Sequence, residues 1–247
     1  MKVLSSFSEL RSLQTAVCTI GNFDGIHLGH LFLFEKMRKI AGSDPTVVIT
    51  FSNHPLEILY PEKAPKLISS IQHKLALFKS VDVDYVVLLE FTEKLAKETY
   101  VEFLENLKNC VNFTHLILGK GSAFGKKKEG TEENIKKLCE PLGFKVHYLE
   151  NLPIDEKAVS SGRIRNCIKE GKISEASQLL SRPYSIYLDP LEAPLEKLLL
   201  PPAGQYPVYI GEEKTPKKAV IIPSYPYIMI EGKALSSSSP IEITFLG

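Results

Sequence analysis

The chain has 247 residues, with 30 Lys and Arg against 29 Asp and Glu and a formal net charge of +1. At about 150 residues per domain this is one large domain, or one plus a small one. Near-neutrality excludes the broad basic surface that duplex nucleic acid requires, so no nucleic-acid partner is expected and any anion site must be local. Hydrophobic residues make up 44% and charged residues 24%, which is enough apolar material for a core and too much for a disordered chain. Cys18, Cys110, Cys139 and Cys167 lack metal-knuckle spacing, which predicts buried thiols, a reducing compartment and no metal held by the protein. No signal-like stretch and no run near the ~20 apolar residues of a membrane span occurs, so a soluble, cytoplasmic protein without membrane contact is expected.

Five apolar, β-branched runs alternate with helical segments. Val17–Ile20 precedes a helix over Leu31–Ala41, and Thr46–Phe51 one over Ser69–Ser80. Tyr85–Leu89 precedes a helix over Thr99–Cys110, His115–Leu118 one over Thr131–Glu140, and Lys145–Leu149 closes the series. Runs without polar alternation suit strands buried on both faces, and their alternation with helices predicts a Rossmann-like α/β domain with a parallel sheet. Ser69 with Gln72 reads as a capping box, and Thr131 before Glu132 and Glu133 as an N-cap with acids in the first turn. Short helices follow over Gly162–Glu170 and Ile173–Leu180. Beyond Pro183 the helical period disappears. Tyr206–Ile210, Ala219–Ile222, Tyr227–Ile230 and Ile241–Phe245 read as strands, Pro223 and Pro226 demote their neighbours to edges, and Ser236–Ser239 reads as a loop. A boundary near Arg182–Pro190 separates residues 1–184 from a small β-rich domain, residues 185–247, which is marginal alone and expected to dock on the first.

Ligands of parallel sheets bind at the carboxyl ends of the strands. The first strand ends in Gly21-Asn22-Phe23-Asp24-Gly25-Ile26-His27-Leu28-Gly29-His30, with a helix after it. Glycines admit close backbone approach, a helix start attracts phosphate, and His27 and His30 add two imidazole donors. A capping histidine and a core histidine around a tight turn would be the bland account. A second cradle is Val159-Ser160-Ser161-Gly162-Arg163-Ile164-Arg165, with two hydroxyls and two guanidinium groups at a helix start. Arg163 and Arg165 are two residues apart, so one of them points elsewhere. Together the two stretches predict a polyphosphate clasped between helix starts. Lys126–Lys128 reads as a solvated loop or a cationic flap, and His73, His115 and His147 show no partner pattern. The P-loop pattern is absent.

These motifs, with Thr50–Pro55 (TFSNHP), Gly119–Gly125, the stretch from Asp84 to Leu107, and Arg182-Pro183-Tyr184, occur in an order that resembles the adenylyltransferase module of bacterial bifunctional riboflavin kinase/FAD synthetases. The resemblance covers about residues 1–184. It implies that His27 and His30 act on the ATP phosphates, with Asn22 and Asp24, and with Gly21 and Phe23 beside them, in the nucleotide-binding turn. It places Ser160, Ser161 and Arg165 on the β- and γ-phosphates, and His54, Pro55 and Phe124 along the flavin cleft. The implied substrates are ATP, as its Mg²⁺ complex with the metal held by phosphate and water, and FMN, with FAD as product. Three departures stand out. Gly121 and Ser122 replace the acidic or amide residue and the first Phe of the family loop, Gly162 replaces a Thr, and the kinase signature G-R-x-x-G-F-P-T-A-N is missing. Leu199–Ile210 and Ile241–Phe245 echo later kinase strands, so the tail reads as a shortened kinase remnant without kinase activity. Two rival readings stay open: nucleotidyl transfer to another phosphorylated acceptor, and a non-catalytic flavin or ATP binder. The β-rich tail is also a candidate surface for homo-oligomerisation.

Overall fold

The five apolar runs form strands of one parallel sheet, as strands buried on both faces should. In chain order they are β2 (Ala16–Ile20), β3 (Thr46–Phe51), β4 (Tyr85–Leu89), β5 (Phe113–Gly119) and β6 (Lys145–Leu149), preceded by β1 (Lys2–Leu4). The sheet order is β1-β4-β3-β2-β5-β6, with every pair parallel. All residues of β2 and β3 are buried. β1, three residues long, is too short to leave a periodic signal. The computed structural model describes residues 1–188, 195–213, 215–222, 227–234 and 240–247.

Helices α1 (Leu28–Ala41), α2 (Pro55–Leu59), α3 (Ile71–Lys79), α4 (Glu93–Lys97), α5 (Tyr100–Cys110) and α6 (Glu132–Leu142) link these strands. Thr99 and Thr131 cap α5 and α6, with side-chain oxygens accepting from the Glu102 and Asn134 amides. α1 begins at Leu28, three residues before the expected start, so His30 lies in its first turn. The expected capping box at Ser69 gives way to its neighbour. Ser70 Oγ accepts from the His73 amide at 3.3 Å, and the Ser69 hydroxyl is drawn to a buried carboxylate instead. All four cysteines are free, but only Cys18 and Cys167 are buried. Cys110 ends α5, and Cys139 lies in the second half of α6; both are half-buried there rather than enclosed.

The chain divides into two compact units. The first, Met1–Phe23 with His30–Pro65 and Phe78–Asn151, contains the parallel sheet, and its core includes Cys18, Val47, Leu104, Phe113 and Leu116. The second gathers Asp24–Gly29, Lys66–Leu77 and Leu152–Gly247. It contains the hairpin β7 (Pro153–Ile154) and β8 (Lys157–Ala158), then α7 (Ser161–Lys169) and α8 (Ile173–Leu180). An antiparallel sheet follows, built from β9 (Ser185–Leu188), β10 (Gly204–Ile210), β11 (Lys217–Ile222), β12 (Tyr227–Ile230), β13 (Lys233–Ala234) and β14 (Ile241–Phe245) in the order β13-β12-β11-β10-β14-β9. Neither β11 nor β12 is an edge, because each is paired on both sides. β11 ends at Ile222 and β12 starts at Tyr227. Pro223, Pro226 and Ser236–Ser239 lie outside the described residues.

In the second unit one apolar core joins the helices to the sheet. Ile164, Ile168 and Leu179 pack in the same cluster as Val208, Ile221 and Phe245. Phe245 stacks on Tyr184 at 5.4 Å between ring centroids and meets the Tyr206 ring edge-on at 5.8 Å. Phe245→Ala is therefore expected to cost ~3–5 kcal/mol in urea denaturation. Gln205→Ala, at an exposed position of β10, should change stability by no more than ~0.5 kcal/mol.

Candidate active site

The chain runs from β2 through β3 to β4 on one side, and β5 then pairs with the other side of β2. This makes the β2–β5 junction the switch point at which α/β sheets bind ligands. The turn after β2 starts there. Gly21 N–H donates to the Ile49 carbonyl at 3.0 Å, and Thr50 Oγ1 donates to the Asn22 carbonyl at 3.1 Å. Phe23, at φ 48°, buries its ring against Phe34 and Phe78 at 5.2 and 6.0 Å. The His30 ring packs edge-on against Phe23 at 5.0 Å. In the first unit the expected site residues Gly21, Asn22, Phe23 and His30 are thus held by two hydrogen bonds and an aromatic cluster.

The second unit assembles around Asp24, which is 1% exposed. Its carboxylate accepts from the Ile68 amide (3.0 Å), the Ser69 amide (3.0 Å) and Ser69 Oγ (3.2 Å), and it pairs with the Arg165 guanidinium. Arg165 Nε also donates to the Lys66 carbonyl at 2.9 Å. Ser161 Oγ donates to the Asp24 backbone carbonyl at 2.9 Å, while Ser160 caps α7 by accepting from the Arg163 amide. The start of α7 is thereby tied to the turn that carries His27. A Cβ on Gly29 would stand 3.2 Å from the His27 ring, so only glycine leaves that ring its place without a shift. Arg163 faces away, donating to the Ile154 and Lys157 carbonyls and pairing with Glu175 at 3.2 Å.

Burial pushes His27 down to about 4, with Asp24 opposing the shift and Arg182 and Arg165 reinforcing it. The imidazole is therefore neutral at pH 7. Two further buried groups face the same field. Lys74 on α3 is lowered to about 8 by burial against the pull of Asp24. His73 is lowered to about 4 by burial and Arg182, against Glu242 and Asp24, and its Nε2 lies 3.9 Å from Glu242 Oε1. Sequence reading did not find these groups, because the carboxylates they face lie 49 and more residues away along the chain.

The remaining expected residues sit at a helix start and in a core. His54 is the N-cap of α2, accepting from the Leu56 amide at Nδ1 (3.1 Å), with Pro55 opening the helix. The Phe124 ring packs on Phe103 at 5.7 Å, and its carbonyl accepts from the Gly130 amide. His115 and His147 lie on neighbouring strands with rings 5.3 Å apart. Among the described residues no group of three or more His, Cys, Asp or Glu could hold a metal ion, and no helix is long and apolar enough to cross a membrane.

A parallel sheet whose strand order reverses at the β2–β5 junction, with helices linking its strands, defines the class by fold: a Rossmann-like α/β protein. A sequence profile described as FAD synthetase matches residues 9–163, and the chain belongs to that family. It is 34% identical over 191 residues to the bifunctional riboflavin kinase/FMN adenylyltransferase of Buchnera aphidicola subsp. Schizaphis graminum, matching 75% of this chain and 61% of that one. It is 29% identical over 175 residues to a FAD synthetase of Listeria monocytogenes, matching 70% of this chain and 71% of the relative. The chain thus spans about three-fifths of the bifunctional relatives it matches. A solved structure, titled a macrolide-efflux protein from Streptococcus pneumoniae, aligns over 99% of this chain and 88% of its own with a TM-score of 0.81. At 22% identity that likeness concerns the fold.

Two outcomes follow for stability. Asp24→Asn leaves the Arg165 guanidinium buried without its charge partner and should cost ~3–5 kcal/mol in chemical denaturation. His27 and His73 both titrate lower when folded than the ordinary 6.5 of an unfolded histidine. The unfolded chain therefore takes up protons that the native one refuses, and stability should fall as pH drops from about 6.5 towards 4. His73→Gln should flatten that slope in urea titrations across this window.

Proposed function

We propose that this protein transfers the adenylyl group of ATP to FMN, giving FAD and pyrophosphate. The observation that carries the reading is the double tie of α7 to the His27 turn, through Ser161 to the Asp24 carbonyl and through Arg165 to the Asp24 carboxylate. It holds a helix start and an imidazole in one unit, as gripping a triphosphate requires. Membership of the FAD synthetase family supports the choice of reaction.

A phosphate oxygen of FMN attacks the α-phosphorus in line, a new P–O bond forms, and the bond to the β-phosphate bridging oxygen breaks with its electron pair leaving on pyrophosphate. No protein nucleophile is needed, so catalysis is positioning and charge stabilisation. His27 and His30 donate to the α- and β-phosphates, and the start of α7 with Ser160 and Ser161 receives the leaving pyrophosphate. Arg165 contributes as the cation that fixes Asp24 and as field on the phosphates. Mg²⁺ enters with ATP, carried by phosphate oxygens and water. Asn22 belongs to the turn, and His54, Pro55 and Phe124 to the flavin side. A second reading, transfer to another phosphorylated acceptor, rests on the Gly121–Ser122 loop, where Gly121 stands at φ 77° with open space around its missing Cβ.

Incubation with MgATP and either FMN or riboflavin tests the reading. FAD and pyrophosphate are expected from FMN, and no product from riboflavin. Pyrophosphate release with a different acceptor, and none with FMN, would select the second reading. His30→Ala should lower kcat roughly a hundredfold or more, the loss of one preorganised donor being worth ~2.7–4 kcal/mol. Triphosphate binding should also raise the proton affinity of His27, since an adjacent anion favours imidazolium. Calorimetry at pH 6 in buffers of different ionisation enthalpy is expected to show net proton uptake with ATP, reduced in His27→Asn.

A further inference from the structure

Arg182 follows α8, and the mechanism above gives it no part. Its Nη2 donates to the Gly25 carbonyl at 2.6 Å, and its Nη1 to the carbonyls of Ile26 at 2.8 Å and Leu180 at 3.2 Å. Its Nε is buried and meets no acceptor among the described residues. One guanidinium therefore grips two successive peptides of the His27 turn. Both residues of that pair stand at positive φ, Gly25 at 82° and Ile26 at 34°. For a β-branched residue this is a costly conformation that persists only when its surroundings impose it.

The chemical consequence follows from peptide geometry. A trans peptide is planar, with its N–H directed opposite to its C=O. Fixing the carbonyls of Gly25 and Ile26 on Arg182 turns the N–H groups of Ile26 and His27 to the opposite side, and the cation polarises both peptides. Glu242 on β14 supplies the countercharge felt by Arg182, so a strand of the C-terminal sheet borders the clamp.

We infer that Arg182 is a positioning residue for the triphosphate, holding the Ile26 and His27 peptides in the orientation that binds phosphate. The inference rests on the reading of this turn as the triphosphate site, and not on the identity of the acceptor. Lysine in its place keeps the charge but lacks the fork that spans two carbonyls.

The test uses the full chain as wild type, Arg182→Lys and Arg182→Gln. MgATP affinity is measured by calorimetry without FMN, FMN affinity by flavin fluorescence, and local order by amide hydrogen exchange. Both variants are expected to bind MgATP at least tenfold more weakly, with FMN affinity within twofold of wild type. Exchange should quicken at Ile26 and His27 and stay unchanged in α7 and α8. Wild-type MgATP affinity in Arg182→Lys overturns the inference, as does equal weakening of both ligands with protection lost throughout α7 and α8. Failure of both variants to fold overturns it too, by assigning Arg182 to stability alone. A wild type that binds no MgATP removes the inference and the proposed function together. A wild type that binds MgATP but makes no FAD, with the variant effect intact, leaves the clamp standing and removes FMN as acceptor.

Discussion

A buried carboxylate with every oxygen occupied organises the second unit. Asp24 has almost no access to water, so its charge is tolerable only where donors replace the lost hydration. Those donors are the Ile68 and Ser69 amides, the Ser69 hydroxyl and the Arg165 guanidinium, from segments 44 and 141 residues away. Satisfying one charge thus brings the His27 turn, the approach to α3 and the start of α7 together. Arg165 answers the carboxylate, and Ser161 ties the start of α7 to the same residue through its main-chain carbonyl.

The field around this carboxylate differs from that of the chain as a whole. A formal charge of +1 spread over 247 residues predicts nothing locally. Yet Arg165, Arg182 and Lys74 all act electrostatically on groups of the turn, with Asp24 and Glu242 as opposing carboxylates. Asp24, Arg165 and Lys74 lie largely out of water, where electrostatic interaction is less screened than at the surface. A neutral His27 fits this balance, because burial and the surrounding guanidinium groups hold its proton off against the pull of Asp24.

Much of the parallel sheet was legible because its strands are uniform apolar runs, which need no partner to be recognised. The cap at Thr131 was legible for a similar reason, since its hydrogen bond closes within three residues. The opposed directions of Arg163 and Arg165 followed from helical spacing alone. Other features depended on distant partners. Ser69 and Ser70 both look like caps, and only the position of Asp24 decides which one serves the helix. His73 and Lys74 carry no local signature, and the Arg182-Pro183-Tyr184 motif does not tell which carbonyls its guanidinium reaches. The exposure of Cys110 and Cys139 depends on where α5 and α6 leave the core, and composition does not report that.

The core shared by α7, α8 and the antiparallel sheet sets how this protein can drift over generations. Outward positions of β10, such as Gln205, are free to change without disturbing the helices. Inward positions such as Val208, Ile243 and Phe245 have no such freedom, because they pack in the same cluster as the helix whose first turn holds Ser161. A lineage with no use for that sheet's exposed face would still retain its hidden one.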